Sequence, residues 1–552
     1  MEFSFKKIGL SASIAMITLG LSACNISVGN GGGSQGGSNT PDSSDTSSDD
    51  QASEREDEYP VVDPITIGDS IPGRFRVNQN GQITENGKKF APQCGNWFGL
   101  EGQQEPKGAP NNADGAPMEL YMGNMWWNNT GRTIDSDMKM LKAKGINMVR
   151  LPIAPQTLDP MNDQGTGDAS QKQGGALKNH PSVQQSNALE GLKDFLRTAD
   201  ANDIKVLIDI HSCSNYVGWR SGRLDAAPPW EDAERDDYHF KREEWSCNAG
   251  DAGKTVTLDN GQVVAMNVQA YDKNKWLTDL KTIAQLPKDL GIDNVIGIDI
   301  FNEPWDYSWS EWSTLAEEAY QNIASVNDDL LIFVEGIGSK TADGTKVEYG
   351  PSKELNPNWG ENLYGFAQDP LDIPKDRLVL APHTYGPSVS LQPQFFDQSR
   401  AECVVEAGDE DVAAENDCNI VIDSAQLRKG WHEHFGYLKD NGYAVLVGEF
   451  GGNMDWPRQK VNQSVKNKWS HITGNVDEQW QNKLVNYLVD NEIPACYWSI
   501  NPESADTMGW ISTPWDPITA DDKWGSWGST NDTSTNIFDE RKTQLLNKLW
   551  NN

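Results

Sequence analysis

The sequence predicts an α/β chain built as one closed (β/α)8 TIM barrel. Three observations carry that expectation: eight short apolar segments, helix-spaced stretches between them, and polar residues gathered where the apolar segments end. The segments run in order "FAPQCGNWF", "NMVRLPI", "KVLIDIHS", "VIGIDIFNEP", "LLIFVEGI", "RLVLAPHTY", "AVLVGEF" and "ACYWSINP". Both strand faces are buried in such a barrel, which is why these runs are nearly continuous in apolar character. Between them lie "DSDMKMLKAKG", "ALEGLKDFLRTADAND", "KWLTDLKTIAQLPKDLG", "EWSTLAEEAYQNIASV", "AQLRKGWHEHFGYLKDNG" and "EQWQNKLVNYLVDNE". These have helix spacing, and Gly or Asn closes several of them. The fifth connection has the weakest helix pattern. An open doubly wound sheet is the competing architecture. It requires a glycine-rich phosphate turn after its first strand, and "GNWFGLEG" does not supply one.

Two segments of different composition precede the barrel. Lys6 and Lys7 stand before an apolar run from Ile8 to Leu21 that ends in Leu21-Ser22-Ala23-Cys24, the basic, apolar and small-residue order of an export signal. Its last four residues resemble the lipobox of bacterial lipoproteins. The resemblance implies cleavage before Cys24, lipid on that cysteine and, with Asn25 following, an outer-membrane or cell-surface location. Residues 24–58 are mostly Gly, Ser, Asp and Thr, too poor in apolar surface to fold. They predict a disordered tether with a mean reach of about 30 Å. The expected partition is a lipoprotein signal peptide at 1–23, the tether at 24–58 and the barrel domain at 59–552.

Charge and cysteine usage narrow the partners. The chain has 46 basic and 81 acidic residues, a formal net charge of −35. That charge repels nucleic acid and anionic surfaces, and an uncharged ligand is easier to accommodate. Apart from Cys24, six cysteines remain, an even number in a chain expected to meet oxidising conditions. Six cysteines allow fifteen pairings. The set taken forward is Cys213 with Cys247, Cys403 with Cys418, and Cys94 with Cys496. There is no CxxC pair and no histidine cluster beside the cysteines, so no zinc site is expected.

The ends of the apolar segments are unusually polar. Arg150 lies in the second, His211 after the third, Asn302 and Glu303 after the fourth, and Glu335 after the fifth. His383 and Tyr385 follow the sixth, Glu449 ends the seventh, and Trp498 lies in the eighth. Each alone has a plain structural explanation: a salt bridge, a core histidine, a packed indole. Together they fall on the carboxyl-terminal face of one barrel, where the active site of this fold lies. Pro304 directly after Glu303 predicts an extended backbone at the glutamate.

Glu303 in "NEP" and Glu449 in "GEFGG", supported by "VRLP", "DIHS", "HTYG" and "YWSINPES", resemble glycoside hydrolase family 5 from about Gly73 to Asn552. "NWFGLE", "LLIFVEGI" and "NPESADTMGW" are similar to segments of its bacterial endo-β-1,4-glucanases, the cellulases. The resemblance implies a retaining reaction at internal β-1,4-glucosidic bonds of cellulose or soluble β-glucan. In that reaction one carboxylic acid protonates the leaving oxygen while a carboxylate attacks the anomeric carbon. Glu449 is the expected nucleophile, kept ionised by Arg150 and Tyr385, and Glu303 the expected acid and base, its pKa raised by burial and by Glu449. By the same resemblance Asn302 holds the sugar 2-hydroxyl, His211 and His383 bound the central subsite, and Trp97 and Trp498 lie under the sugars.

Other features set the range of substrates. Of 21 tryptophans, Trp219, Trp305 and Trp309 are equally open to stacking on sugar or packing in the core. Glu335 is expected to support the site and not to react. The long polar connections at 156–188, 213–268 and 386–424 fall on the rim and decide which glycan fits. Two alternatives stay open: the same chemistry on mannan or xyloglucan, and a noncatalytic surface lipoprotein that binds glycan. The expected partners are a β-glucan substrate and a membrane reached through Cys24, with no cofactor, no metal and no nucleic acid, in a chain acting as a monomer.

Overall fold

The computed structural model describes residues 73–97, 133–160 apart from 154 and 159, 188–211, 255–257, 263–265, 273–341 apart from 306, 344–458, 463–500, 507–511 and 538–551. All of them belong to the unit Glu58–Asn552. The expected leader and tether, Cys24, Trp219 and the pair Cys213 with Cys247 lie outside the described residues.

The barrel strands are β1 (Cys94–Asn96), β2 (Met148–Ile153), β3 (Lys205–Ile210), β4 (Val295–Asp299), β5 (Leu331–Val334), β6 (Leu378–Leu380), β7 (Ala444–Val445 and Val447–Phe450) and β8 (Ala495–Tyr497). Every neighbouring pair is parallel. The seventh strand is broken at Leu446: its first piece pairs with β6 and its second with β8. The ring is therefore continuous around eight strands, and the expected closed barrel is what forms. Gly297 of β4 is required by this packing, because a Cβ there would lie 2.4 Å from the Leu331 carbonyl oxygen and 2.7 Å from the Phe333 ring.

Helices cover the outside. The longer ones are α1 (Ile134–Ala143), α2 (Ala188–Ala201), α3 (Lys273–Leu290), α4 (Trp309–Ala324), α5 (Ser424–Trp431), α6 (Val476–Asp490) and α7 (Glu540–Trp550). Capping boxes start two of them, Thr133 with Ser136 at α1 and Ser308 with Glu311 at α4. Each box satisfies amide groups that the first helical turn cannot pair internally. Between β5 and β6 the only helical segment among the described residues is a 3-10 turn, Tyr364–Ala367, in keeping with the weak helix pattern of that connection.

A second, smaller core fills the barrel's amino-terminal end. Cys94, Met148, Leu207, Phe333, Ala381 and Cys496 project inward there, and Phe75, Val77 and Ile83 of a short antiparallel hairpin plug the opening from below. The hairpin is tied to the strand starts by Val77, whose amide donates to the Asp376 carbonyl at 2.8 Å. Cys94 and Cys496 are register partners in β1 and β8, and they form a disulfide that staples the first barrel strand to the last. Cys403 and Cys418 are also joined, inside the long connection after β6.

The staple spans 402 residues of sequence, so it removes much freedom from the unfolded chain. Replacing both Cys94 and Cys496 with Ala should cost about 3 kcal/mol of stability. The measurement is a lowered thermal midpoint by calorimetry, with unchanged activity at room temperature; an unchanged midpoint would contradict the staple.

Candidate active site

The period of a β-strand builds this site directly on the barrel floor. Residues two apart share a face, and six inward floor residues are each followed two positions later by a polar or aromatic one. Cys94 leads to Asn96, Met148 to Arg150, Leu207 to Asp209, Phe333 to Glu335, Ala381 to His383, and Cys496 to Trp498. A dry layer thus lies beneath a polar one at the carboxyl-terminal face, as the fold requires of a site.

Arg150 is the hub of that layer and is fully buried. Its Nε donates to Asp299 at 2.9 Å, its Nη1 to Glu449 at 2.5 Å and to Asn96 at 3.2 Å. Its Nη2 donates to Asn302 and to Glu335, each at 3.1 Å, and pairs with Asp209 at 3.1 Å. Four carboxyl groups therefore surround one guanidinium. The carboxyl of Asp299 is pushed up to about 7 by burial, against the pull of Arg150. Glu335 is raised well above its ordinary range by burial and by Asp299.

The two candidate reacting groups face each other. Glu303, Glu449 and His383 each offer an atom within 4.8 Å of the other two. His383 Nδ1 is 3.0 Å from Glu303 and 3.6 Å from Glu449. Glu303 shows 18% of its side chain to solvent. Burial raises its carboxyl to about 7; His383 opposes the rise, while Glu449 and Glu335 add to it. Glu449 is biased the other way. Burial pushes it up too, but His383, Arg150, His211 and the Tyr385 hydroxyl, which donates at 2.6 Å, outweigh burial and hold it below the usual glutamate value. A separate set, Asp299, Glu335 and His383, also places one ligand-type atom each within 4.8 Å. Either set has the spacing to hold a cation, but Arg150 already supplies a positive charge to each.

The remaining expected residues fall around this pair. His211 Nδ1 meets Asp209 at 2.8 Å, and its ring stacks on Trp498 at 5.4 Å with planes 9° apart. Burial lowers the His211 pKa, but Asp209 outweighs it and the net shift is upward. Trp498 remains partly exposed. Trp97 does not serve as a platform: it is fully buried in the core, edge-on to Phe195 of α2. The strand direction explains this correction, since the inward neighbour Asn96 takes the site-facing position and Trp97 is turned outward toward the helices. Trp309 is likewise a core residue, packed on Phe366.

The backbone of Glu303 also differs from expectation. Its φ is +47°, in the left-handed region, and not the extended form that Pro304 favours. The amide of Glu303 instead donates to Glu335 Oε2 at 2.8 Å. Sequence reasoning missed Trp359, which is 41% exposed and stacks on buried Trp305 at 5.5 Å. Its neighbour Gly360 reaches the Glu303 side chain: a Cβ on that glycine would lie 3.4 Å from Glu303 Cγ. It missed Asp209 and Asp299 as well, although a carboxylate inside an apolar strand, as in "LIDIHS" and "GIDIF", was a readable signal.

Two carboxyl groups at this separation, one biased toward its acid and the other toward its anion, suit the breaking of a glycosidic bond. On a (β/α)8 barrel they define the class of glycoside hydrolases. The chain belongs to the cellulase family, glycosyl hydrolase family 5, whose family model matches residues 111–504. It is 54% identical over 494 residues to Endoglucanase C of Cellvibrio japonicus, a match covering 87% of this chain and 62% of that protein. The chain thus spans less than two thirds of the length of that relative. An endoglucanase of Paenibacillus polymyxa is 27% identical over 81% of this chain and 84% of its own length. Among solved structures, the catalytic domain of the major endoglucanase of Xanthomonas campestris pv. campestris superposes with a TM-score of 0.55 at 23% identity, covering 86% of this chain and all of that one.

A pH dependence follows from the two opposite shifts. If Glu449 reacts as its anion and Glu303 as its acid, activity falls at low pH as Glu449 gains a proton and at high pH as Glu303 loses one. The acid limb of kcat/KM should lie below the ordinary glutamate value of 4.5, and the alkaline limb should centre near 7. A pH-rate profile checks both, and an alkaline limb that stays flat well beyond neutrality would contradict this reading of Glu303.

Proposed function

We propose that this chain is a retaining endo-β-1,4-glucanase that cleaves internal bonds of cellulose or soluble β-glucan through a covalent glycosyl-enzyme. The observation that carries the reading is the approach of Glu303 and Glu449 to within 4.8 Å. A gap of about 5 Å suits direct attack, whereas an interposed water needs roughly 6.5–9.5 Å. The choice of linkage is supported by the relatives, which are named endoglucanases.

In the first step a carboxylate oxygen of Glu449 bonds to the anomeric carbon while Glu303 gives its proton to the departing glycosidic oxygen. The carbon–oxygen bond breaks and an ester remains. Loss of the Glu449 charge then removes one of the effects that raised Glu303, so Glu303 becomes the better base. It takes a proton from water, the resulting hydroxide attacks the anomeric carbon, and Glu449 leaves as a carboxylate. One water is consumed and both side chains return to their starting forms. Arg150 and Tyr385 hold Glu449 on line. Asn302, fixed by Arg150, meets the sugar 2-hydroxyl, and Trp498 and Trp359 offer flat faces for glucosyl rings.

The folded unit contributes every one of these residues from a single chain, so a monomer suffices for turnover. We place it outside the cytoplasm, held to the outer membrane through lipid on Cys24, on the strength of the lipobox-like "LSAC". A relative in Xanthomonas is named the major extracellular endoglucanase, which fits export. Labelling with a fatty-acid analogue should mark the wild-type chain and not Cys24→Ala; equal labelling of both would end that assignment.

Two measurements test the activity. A 2-deoxy-2-fluoro cellobioside with an activated leaving group should accumulate as an adduct on the peptide containing Glu449, seen by mass spectrometry, because fluorine slows both formation and breakdown of the ester while the activated leaving group restores its formation. Carboxymethyl cellulose, barley β-glucan, glucomannan and xyloglucan should then be compared with product-length analysis. Rapid viscosity loss and mixed oligosaccharides from the first two are expected. Faster release from glucomannan or xyloglucan would reassign the substrate, and binding without any new reducing ends would overturn the enzymatic reading.

A further inference from the structure

Glu335 is a third glutamate at the strand ends, and the reaction above uses neither of its oxygens. Oε2 accepts the backbone N–H of Glu303 at 2.8 Å. Oε1 accepts from Arg150 Nη2 at 3.1 Å, the same guanidinium that holds Glu449. One carboxyl group therefore links the backbone of the acid to the cation beside the nucleophile. His383 Nε2 also lies 3.0 Å from Oε1, at ion-pair distance but off the line of a hydrogen bond.

The surroundings fix Glu335 tightly. Trp312 of α4 donates its indole N–H to the Glu335 carbonyl at 2.9 Å. From the opposite side Gly360, with φ of +74°, leaves room that no other residue would: a Cβ there would lie 2.6 Å from Oε2. Glu303 needs such a hold, because a non-glycine residue stays at a φ of +47° only when its neighbours impose it. The charged and titratable groups facing Glu335 are Arg150, Asp209, Asp299, His383 and Glu449.

We infer that Glu335 is a positioning residue, whose hydrogen bond to the amide of Glu303 aims that side chain at the glycosidic oxygen. The inference rests on the reading of Glu303 as acid and base. It requires an acceptor at this point and not a negative charge. Burial favours the neutral carboxyl, which still offers one acceptor oxygen. Glutamine therefore keeps the contact to the Glu303 amide through its one carbonyl oxygen, giving up the acceptor that faces Arg150, whereas methionine, similar in length, abolishes both.

The test compares substrates that do and do not need protonation of the leaving group. kcat/KM, which reports formation of the glycosyl-enzyme, is measured on cellotetraose and on 2,4-dinitrophenyl β-cellobioside, whose phenolate departs without a proton. Glu335→Met should lose about 10²-fold on cellotetraose, the lower end of what general acid catalysis contributes, and far less on the dinitrophenyl substrate. Glu335→Gln should stay within about fivefold of wild type on both, because the acceptor is kept. Gly360→Ala disturbs the same contact from the other side and should show the pattern of Glu335→Met; it decides the matter if the methionine variant does not fold by circular dichroism.

Glu303→Ala is the control. If its loss is equal on the two substrates, Glu303 is not the acid, and the functional reading fails irrespective of Glu335. If Glu303→Ala shows the expected pattern while the Glu335 and Gly360 variants lose equally on both substrates, or keep full activity on cellotetraose, the positioning role is overturned.

Discussion

The guanidinium of Arg150 sets the charge of everything at the centre of the barrel. Four carboxyl groups, Asp209, Asp299, Glu335 and Glu449, reach it, and none has access to enough water to stand alone. One positive charge cannot neutralise four negative ones, and leaving a buried charge without its partner costs about 3–5 kcal/mol. The group resolves the conflict by retaining protons, so Asp299 and Glu335 rise. Glu449 escapes because it has more help: His383, His211 and the Tyr385 hydroxyl join Arg150 around it. Glu449 is thus held toward its anion by the number of donors it reaches, the opposite bias to that of Glu303.

That charge balance depends on rigid placement. The polar layer rests on an apolar floor two residues earlier along the same strands, and the floor is closed below by the hairpin at Phe75–Val77 and across β1 and β8 by the disulfide. Asn96, Arg150, Asp209, Asp299 and Glu449 take their positions from the strands themselves. Glu303 does not. It lies four residues beyond the end of β4, in a left-handed conformation, and is held by hydrogen bonds from outside its own segment.

The rim is organised by a different set of contacts. The turn carrying Trp359 is supported by Glu361, which accepts from Asn358 at 2.9 Å and meets His434 at 2.8 Å, so an exposed indole stands on a buried polar base. The connection after β6 is stapled by Cys403 and Cys418 and leans on the one after β7, where Phe396 stacks on Trp469 at 6.0 Å and His471 meets the Cys418 carbonyl at 2.9 Å. These contacts hold the two connections together independently of the polar layer at the strand ends.

The order of apolar and helical segments was enough to determine the barrel, because burial on both strand faces and helix spacing are local patterns that each segment carries in itself. Glu303 and Glu449 were legible for a related reason: a carboxyl at the end of an apolar strand has few structural uses, and "NEP" and "GEFGG" mark both ends of the pair. Cys94 with Cys496 could be named only as one pairing among many, and it was the closing of the ring that brought them together. Trp97 was misjudged because its facing depends on which way β1 presents its side chains. Trp359 and the bond from Glu303 to Glu335 could not be read from the chain, since both join residues at least 32 positions apart whose approach arises from packing. Local composition fixed which groups were available; distance and burial, which exist only after folding, decided which of them come together at the strand ends.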